Sequence, residues 1–315
     1  MFYEIDLKDT REDSEGLLPL SAVSGTWRVA LLGIHFVLRN LFYHPGEDHS
    51  TPAEDCFWEV SVMARDKQRT TSYLCMEKVF GAEKRPTIVF MHGISDTTEA
   101  RKGEALELLE KTRMNVFVVG YRGFGKSSDR TTPDMEGIIQ DTRASISALK
   151  RIVTGRLFFF GQSLGSSVAI HVLRYHTADG LILENPFLSI TRVVFDRLSF
   201  LGHVFRKIIP DEWDSIGFVI SNGERFRELD IMILSSGKDT LTGPYHRDVL
   251  FESFLRAGCR YAHYCVFEGY SHEGLRRSAS YAQKIKDFCL WIQHRSADDT
   301  KKSHFESVSN KDAPV

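Results

Sequence analysis

Apolar positions follow two different rhythms along this chain. Residues 57–63 (FWEVSVM) alternate between apolar and polar side chains, and the stretch 72–80 predicts a partner strand for them. From residue 87 onward, short continuous apolar runs alternate with stretches of helical periodicity. Strands that are buried on both faces of a parallel sheet give such continuous runs. The pattern therefore predicts an α/β fold, with a mostly parallel sheet of about eight strands and helices on both faces.

The predicted strands and helices take turns up to the end of the domain. The core strands cover residues 87–93, 115–123, 156–163, 180–186, 230–237 and 263–269, and the helices cover 102–112, 137–152, 167–176, 245–258 and 281–295. The stretch 187–229 interrupts the alternation, because it is rich in Phe and Arg and contains Pro210 and Trp213. We interpret it as a helical lid inserted between two core strands.

Composition divides the chain into four parts. Residues 1–25 form an acidic tail, 26–44 a mostly apolar amphipathic helix, 45–295 the α/β domain, and 296–315 a polar tail predicted to be disordered. In the helix, Arg28, His35 and Arg39 share one side, opposite a broad apolar face. A basic stripe opposite an apolar face favours a helix that anchors the protein at a membrane surface. The alternative is that this helix packs on the α/β domain.

Charge and cysteine content exclude several classes of protein. The 40 basic and 42 acidic residues give a net charge of −2, so the chain lacks the global basic footprint of a nucleic-acid-binding protein. The five cysteines are widely scattered and form no CxxC pair. This distribution disfavours a disulfide framework or a zinc cluster and favours a reducing compartment.

One turn carries the strongest chemical signal in the sequence. Residues 161–165 read Gly-Gln-Ser-Leu-Gly, which matches G-x-S-x-G directly after a predicted strand and directly before a predicted helix. In that context Ser163 is the nucleophile of a sharp strand-to-helix turn, and the flanking glycines avoid clashes with the strand and the helix. The alternative is an ordinary turn rich in Ser and Gly, which would need no partners downstream.

Two residues downstream have the right type, order and position to activate Ser163. Asp239 and His272 each follow a predicted core strand, in the chain order Ser, Asp, His that this kind of turn requires. The histidine would act as the base for Ser163, and the aspartate would orient it. Glu184, at the end of its strand, is a rival for the acid; Asp230 opens its strand, at the wrong end of the sheet, and Glu273 is a weaker competitor.

The reaction also needs donors for the negative charge that develops on a carbonyl oxygen. The backbone N–H groups of Leu164 and Ile94 are the expected oxyanion-hole donors. His92, two residues before Ile94, is expected to support the loop by hydrogen bonding. This machinery requires no metal and no organic cofactor.

Six segments together resemble one protein family. They are MHG at 91–93, GYRGFGKS at 120–127, GQSLGS at 161–166, ENPFLS at 184–189, SSGKD at 235–239 and EGYSH at 268–272. Over residues 40–295 the chain is similar to the α/β-hydrolase superfamily. Within it, the chain resembles the Bud Emergence 46-like branch, whose animal relatives include α/β-hydrolase domain proteins thirteen and seventeen.

The resemblance implies a serine hydrolase of ester or thioester bonds, often membrane-associated, and some relatives remove palmitoyl groups from proteins. Ser163, Asp239 and His272 match the family's triad, and Ile94 and Leu164 match its oxyanion-hole positions. The chain departs from the branch in three places. It has Ile-Ser after His92-Gly93 where an HGN-type loop is usual, Thr240 where an acid is usual, and Glu273 where Asn is usual.

The expected function is therefore a serine esterase or thioesterase acting on an acylated lipid or protein at a membrane surface, with its catalytic domain in the cytosol. Alternatives are a cytoplasmic location, a serine peptidase or amidase of the same fold, and a non-catalytic interaction protein. The segment GYRGFGKS also meets the spacing of a phosphate-binding loop. Such a loop leads straight into a helix, whereas loop residues follow here, so nucleotide binding is not favoured. The oligomeric state stays open.

Overall fold

A computed structural model describes residues 3–5, 55–127, 132–198, 213–295 and 306–310 of the chain. The predicted helix 26–44 and the middle of the predicted lid, 199–212, lie outside these described residues. Within the described part, no helix is both long and apolar enough to cross a membrane. Whether residues 26–44 bind a membrane therefore stays a prediction.

Ten strands form one twisted sheet. In chain order they are β1 (Tyr3–Ile5), β2 (Phe57–Met63), β3 (Arg69–Cys75), β4 (Thr87–Met91), β5 (Asn115–Val118), β6 (Leu157–Gln162), β7 (Gly180–Glu184), β8 (Asp230–Ser236), β9 (Tyr261–Phe267) and β10 (Glu306–Asn310). Their order across the sheet is β1-β2-β3-β5-β4-β6-β7-β8-β9-β10. Among the described strands, β3 alone runs antiparallel to its neighbours. The central strands β2 to β9 confirm the predicted mostly parallel sheet.

Seven α-helices are described between these strands. They are α1 (Lys102–Thr112), α2 (Met135–Leu149), α3 (Leu164–Val172), α4 (Ile190–Leu198), α5 (Ser215–Ser221), α6 (Pro244–Arg256) and α7 (Tyr281–His294). Two of them show why helices form here. Helix α2 begins at an N-cap, where the Asp134 carboxylate accepts the N–H of Gly137, and α6 begins with Pro244, whose missing N–H costs nothing in a first turn.

The three consecutive phenylalanines of β6 show how the sheet is buried on both faces. Successive side chains of a strand point to opposite faces. Phe159 packs into the cluster that contains the buried side chains of α2 and α3, and Phe158 and Phe160 pack into the cluster on the other face, with α1 and α7. All three side chains are fully buried. Apolar residues at every position of the run are thus explained by helices on both faces, as predicted.

The insertion between β7 and β8 contains α4 and α5 in its described parts. Its second part is anchored on α3, because the Ser215 hydroxyl donates to the Ser167 hydroxyl at 2.8 Å and the ring of Trp213 meets the edge of His171 at 6.0 Å. Trp213 is fully buried and belongs to the core cluster that contains the apolar side chains of α3. The insertion therefore sits directly above the helix that follows Ser163, although its role as a lid stays a prediction.

Three strands differ from the prediction. Strand β3 covers Arg69–Cys75 rather than 72–80, because it pairs residue by residue with β2, from Met63 opposite Arg69 to Phe57 opposite Cys75. Strand β10 lies within 296–315, which the sequence predicts to be disordered, and pairs in parallel with β9. Likewise, β1 lies within the acidic tail 1–25 and pairs in parallel with β2.

Candidate active site

Ser163 occupies a strained turn between β6 and α3. Its backbone has φ 51° and ψ −116°, a combination that residues other than glycine rarely adopt. The chain can turn this sharply because Gly161 and Gly165 have no Cβ. A Cβ at Gly161 would overlap the carbonyl oxygen of Gly165, and a Cβ at Gly165 would overlap that of Met91. The two glycines are therefore required by close backbone contacts, as the motif predicts.

Substitution of Gly165 should destabilise the fold. We expect Gly165→Ala to lower the free energy of unfolding by about 3 kcal/mol, since its methyl group would have to displace the backbone of β4. The matched control is Gly103→Ala, also near the start of a helix, where a Cβ meets nothing within 4 Å. There, alanine should raise the stability by up to about 1 kcal/mol through helix propensity. Urea unfolding of both variants tests this; equal effects of the two substitutions would contradict it.

His272 lies between Ser163 and Asp239 and contacts both. Its Nε2 is 2.9 Å from the Ser163 Oγ, and its Nδ1 is 2.7 Å from the Asp239 Oδ2. A carboxylate accepts hydrogen bonds only, so we assign the proton to Nδ1, which leaves Nε2 free to accept the serine hydroxyl. The structure thus brings together the three residues that the sequence singles out.

The Asp239 carboxylate is fixed by the loop that carries it. Oδ1 accepts the backbone N–H groups of Leu241 at 2.7 Å and Thr242 at 2.9 Å, and Oδ2 accepts the Thr242 hydroxyl at 2.8 Å. Burial alone would raise the pKa of Asp239, but the hydrogen bonds and charge of His272, together with those from Thr242, outweigh it and hold the pKa below its usual value. The aspartate is therefore ionised at neutral pH and oriented toward the imidazole.

Glu184, the main rival acid, is occupied elsewhere. Its Oε1 accepts the Gln162 side-chain amide at 2.9 Å, and its Oε2 accepts the Tyr281 hydroxyl at 2.5 Å. Burial first, and then the charge of Glu104, raise its pKa to about 7. Its carboxyl group therefore supports the chain just before Ser163, and the histidine takes Asp239 as its partner instead.

The two weaker rivals are also accounted for. Asp230, at the start of β8, forms ion pairs with Arg260 at 2.5 Å and Arg295 at 3.0 Å. It lies at the edge of the sheet opposite Ser163, since the nucleophile turn follows the carboxyl end of β6. Glu273 is exposed. Neither side chain competes for His272.

The expected oxyanion-hole residues border the nucleophile turn. Leu164 is the first residue of α3, where backbone N–H groups have no acceptor within the helix. The loop after β4 passes close by, since a Cβ built on Gly93 would lie 3.7 Å from the Cβ of Ser163. Neither Leu164 nor Ile94 donates its N–H to a backbone carbonyl of the described residues. Within the described part of the chain, both N–H groups thus have no backbone acceptor, which is what an oxyanion hole requires.

His92 holds the loop that carries Ile94. Its Nδ1–H donates to the Gly93 carbonyl at 2.8 Å, and its ring packs against Tyr121 at 4.3 Å and Phe124 at 5.6 Å. Complete burial lowers its pKa to about 4, so the ring is neutral. These contacts match the supporting role expected from the sequence.

The segment GYRGFGKS adopts a series of turns. After this segment, residues 126–127 and 132–134 are not helical, and α2 begins only at Met135. Arg122 anchors the segment, because its guanidinium group donates to the buried Asp141 carboxylate at 2.7 and 2.9 Å. A phosphate-binding loop would lead directly into a helix, so this geometry disfavours nucleotide binding here.

Sequence reasoning missed the polar residues that hold the site in place. Thr242 binds the Asp239 carboxylate, and Asn185 binds the carbonyl oxygen of His272 at 2.7 Å. A weak signal existed for Asn185, which directly follows a core strand at the same edge of the sheet as Ser163. Nothing in the sequence indicated its partner.

Comparisons with known proteins agree with this fold. The protein-family model described as serine aminopeptidase, S33, matches residues 82–230, a range that includes Ser163 but not Asp239 or His272. Among solved structures, the esterase Pf2001 of Pyrococcus furiosus is similar with a TM-score of 0.60 at 16% identity, over 78% of this chain and 98% of that one. The Pyrobaculum calidifontis esterase gives 0.56 at 14% identity, over 87% and 94%.

Similar sequences come from fungi and plants. Protein bem46 of Schizosaccharomyces pombe is 26% identical over 234 residues, which cover 73% of this chain and 75% of that protein. The α/β hydrolase domain-containing protein WAV2 of Arabidopsis thaliana is 28% identical, and an uncharacterized membrane protein of Saccharomyces cerevisiae, YNL320W, is 31% identical. The alignments cover 55% and 56% of this chain and only 59% and 61% of those two relatives.

The sheet order, the strained turn at Ser163 and the esterase-like fold define an α/β hydrolase. The similarity to the family model, to protein bem46 and to WAV2 supports the Bem46-like branch of that superfamily.

Proposed function

We propose that this protein is a serine hydrolase that cleaves carboxylic esters or acyl thioesters through a covalent acyl-enzyme. The observation that carries the proposal is the unbroken hydrogen-bond chain from the Ser163 hydroxyl through His272 to Asp239. A serine hydroxyl is a weak nucleophile by itself and needs such a positioned base. These hydrogen bonds join residues of three separate loops at one edge of the sheet. Hydrogen bonds that only stabilise the fold would not need this combination of side chains.

The geometry supports a two-step reaction. His272 Nε2 takes the proton of Ser163 as Oγ bonds to the acyl carbon, and the resulting oxyanion accepts the N–H groups of Leu164 and Ile94. As the intermediate collapses, the imidazolium gives its proton to the departing alcohol or thiol. In the second step His272 takes a proton from water as the water oxygen bonds to the acyl carbon. The bond between that carbon and Oγ then breaks, the imidazolium returns the proton to Oγ, and the carboxylic acid leaves. Asp239 stabilises the imidazolium in both steps.

A labelling experiment tests this proposal. The purified protein is treated with a fluorophosphonate, which phosphonylates activated serines, and is then assayed with p-nitrophenyl esters and acyl thioesters of increasing chain length. We expect stoichiometric labelling at Ser163 and turnover of at least one ester or thioester. A protein that is folded but neither labelled nor active would overturn the proposal.

A serine peptidase is the second candidate. It is favoured by the description of the matching family model, serine aminopeptidase. Esters and amides are cleaved by the same machinery, so the geometry of Ser163, His272 and Asp239 fits both. Aminoacyl p-nitroanilides, included in the assay, distinguish the two: preference for them over esters of similar size would identify a peptidase.

For the physiological substrate, we propose an acylated lipid or protein at a membrane surface, as for a palmitoyl-protein hydrolase. The support is the basic and apolar pattern of residues 26–44 and the similarity to a yeast protein described as a membrane protein. Two arginines within this stretch would make a full span costly, by roughly 2.5–3.5 kcal/mol each at mid-bilayer. A helix lying in the interface lets both guanidinium groups reach lipid phosphates.

Removal of residues 1–44 should abolish membrane binding. We expect the full-length protein to float with anionic liposomes in a density gradient. The shortened protein also lacks the edge strand β1, but β2 to β9 remain. It should stay at the bottom and retain fluorophosphonate labelling, since the apolar face of the helix would be missing while the rest of the α/β domain remains folded. A charge-reversal variant carries Arg28→Glu together with Arg39→Glu. It should float less than wild type with anionic liposomes, and the difference from wild type should be smaller with neutral liposomes. If the full-length protein never floats and the shortened one aggregates, the helix belongs to the domain core.

A further inference from the structure

His272 lies on a loop that has no regular secondary structure of its own. Strand β9 ends at Phe267, and the next helical turn begins only at Leu275. Yet the imidazole must keep hydrogen bonds to Ser163 and Asp239 at the same time, and a misplacement of about 1 Å at such a site costs roughly 10²-fold in rate. The backbone of this loop, residues 268–274, therefore has to be held by something outside it.

Two buried side chains hold the loop by its carbonyl oxygens. Asn185, directly after β7, donates through Nδ2 to the His272 carbonyl at 2.7 Å. Ser236, the last residue of β8, donates through its hydroxyl to the Ser271 carbonyl at 2.8 Å. Both side chains lie at the ends of core strands. The backbone of the histidine loop is therefore held in place by hydrogen bonds from the sheet.

Asn185 and Ser236 are also bonded to each other. The Asn185 Oδ1 accepts the backbone N–H of Ser236 at 2.8 Å, and its Nδ2 donates to the Ser236 hydroxyl at 2.9 Å. The backbone N–H can only donate, which fixes the orientation of the amide and aims Nδ2 at His272. Both N–H donors and the oxygen of the Asn185 amide are therefore used, in a side chain that is 1% exposed.

The same residue reaches the aspartate loop. The Thr242 hydroxyl lies 3.2 Å from the Asn185 carbonyl oxygen and 2.8 Å from the Asp239 carboxylate, so it can donate to either. Asn185 also has a left-handed φ of 44°, a conformation that Asn, Asp and Gly tolerate best. Its backbone and its side chain thus meet the two loops that carry the acid and the base.

We infer that Asn185 is a positioning residue that holds His272 in line between Ser163 and Asp239. The inference rests on the proposed function for its catalytic consequence, although the geometry it concerns can be measured without any substrate. Without the Asn185 amide, the loop 268–274 would lose the tie at the histidine itself and keep those at Ser271, from the Ser236 hydroxyl, and at Tyr270, from the Lys238 N–H.

Two substitutions isolate the amide donor. Asn185→Asp keeps the size and the left-handed φ but turns an oxygen toward the His272 carbonyl, and Asn185→Gly keeps the φ and removes the side chain. The matched control is Asn115→Asp at the opposite end of the sheet, where another fully buried amide donates to a backbone carbonyl, that of Ala82, at 2.8 Å. All three variants lose a buried hydrogen bond, and only the first two touch the histidine loop.

The first readout needs no substrate. In wild type, the His272 Nδ1 proton shared with Asp239 should give a downfield-shifted proton NMR signal, which Asp239→Asn identifies by abolishing it. We expect Asn185→Asp and Asn185→Gly to lose or broaden this signal and Asn115→Asp to keep it. The second readout is kinetic, normalised to the concentration of fluorophosphonate-labelled sites. The two Asn185 variants should lose about 10²-fold in kcat with KM within about twofold, whereas Asn115→Asp should keep wild-type kcat.

The outcomes separate the inference from the proposed function. If wild type neither labels nor turns over any substrate, the proposed function fails, and the NMR comparison still decides the role of Asn185. If the Asn185 variants keep the downfield signal, or lose stability and nothing else as Asn115→Asp does, the residue is structural and the inference is overturned. If a variant fails to fold, Ser236→Ala, which removes the neighbouring tie at Ser271, should weaken the same signal; an unchanged signal there counts against the inference.

Discussion

Replacement of Ser163 by alanine should abolish fluorophosphonate labelling and lower kcat by about 10³-fold or more. The reason is that the Ser163 hydroxyl, whose Oγ lies 2.9 Å from His272 Nε2, is the proposed nucleophile. The residual rate would come from the oxyanion donors and from substrate binding alone. Active-site titration and steady-state kinetics on the best ester of the panel measure both quantities.

The matched control is Ser167→Ala. Ser167 lies one helical turn further along α3, is fully buried, and uses its hydroxyl in contacts with Ser215 and His171. It should keep the labelling and nearly all of kcat, with a small loss of stability. Thermal unfolding of Ser163→Ala should differ little from wild type, because alanine keeps the strained backbone of the turn. Undiminished turnover by Ser163→Ala would exclude covalent catalysis at this residue.

The elements that the sequence predicts best are those whose apolar and polar residues alternate with a regular period. Helix α1 and strand β2 begin and end where the periodicity places them, at Lys102–Thr112 and Phe57–Met63. The predicted start of β3 is too late because Thr70 and Thr71 are polar yet buried. Their burial follows from the place of β3 between β2 and β5, which is a property of the whole sheet.

In the candidate site too, some features can be predicted from the sequence and others cannot. The turn at Ser163 is predictable because its chemistry is local: a strand, two glycines at required positions and a helix. Asp239 and His272 are predictable because the fold fixes their order and their place after core strands. The hydrogen bonds of Asn185 are different, since they join it to residues 51 and 87 positions away. No periodicity encodes such pairs, and they emerge only when the carboxyl ends of β7, β8 and β9 meet.

Of the two main candidates for the orienting acid, Asp239 should prove far more important for catalysis than Glu184. We expect Asp239→Asn to lower kcat by roughly 10⁴-fold, as the corresponding Asp→Asn substitution does in serine proteases. The asparagine amide would present a donor to Nδ1, so the imidazole would adopt the other tautomer and could no longer accept the Ser163 proton. Kinetics at saturating ester, with labelling as a second measure, give the size of the loss.

Glu184→Gln is the comparison variant, and its main effect should be on stability. Burial holds the pKa of Glu184 above its ordinary 4.5, at about 7, so the folded protein binds a proton that the unfolded chain releases. Wild-type stability therefore falls as the pH rises from about 4.5 to about 7, by the linkage between proton binding and folding. Glutamine carries no titrating proton, so the variant should lose this dependence. Unfolding curves at pH 5 and pH 8 measure it.

The catalytic cost of Glu184→Gln should stay within about tenfold, since the glutamine oxygen can still accept a hydrogen bond from Gln162 or Tyr281. If Glu184→Gln instead lost about 10⁴-fold and Asp239→Asn kept most of its activity, the orienting role would pass to Glu184. That outcome would require His272 to leave a carboxylate 2.7 Å away, and Glu184 to give up both Gln162 and Tyr281. Each of those buried hydrogen bonds is costly to leave unmade, so the ranking Asp239 over Glu184 follows from the contacts.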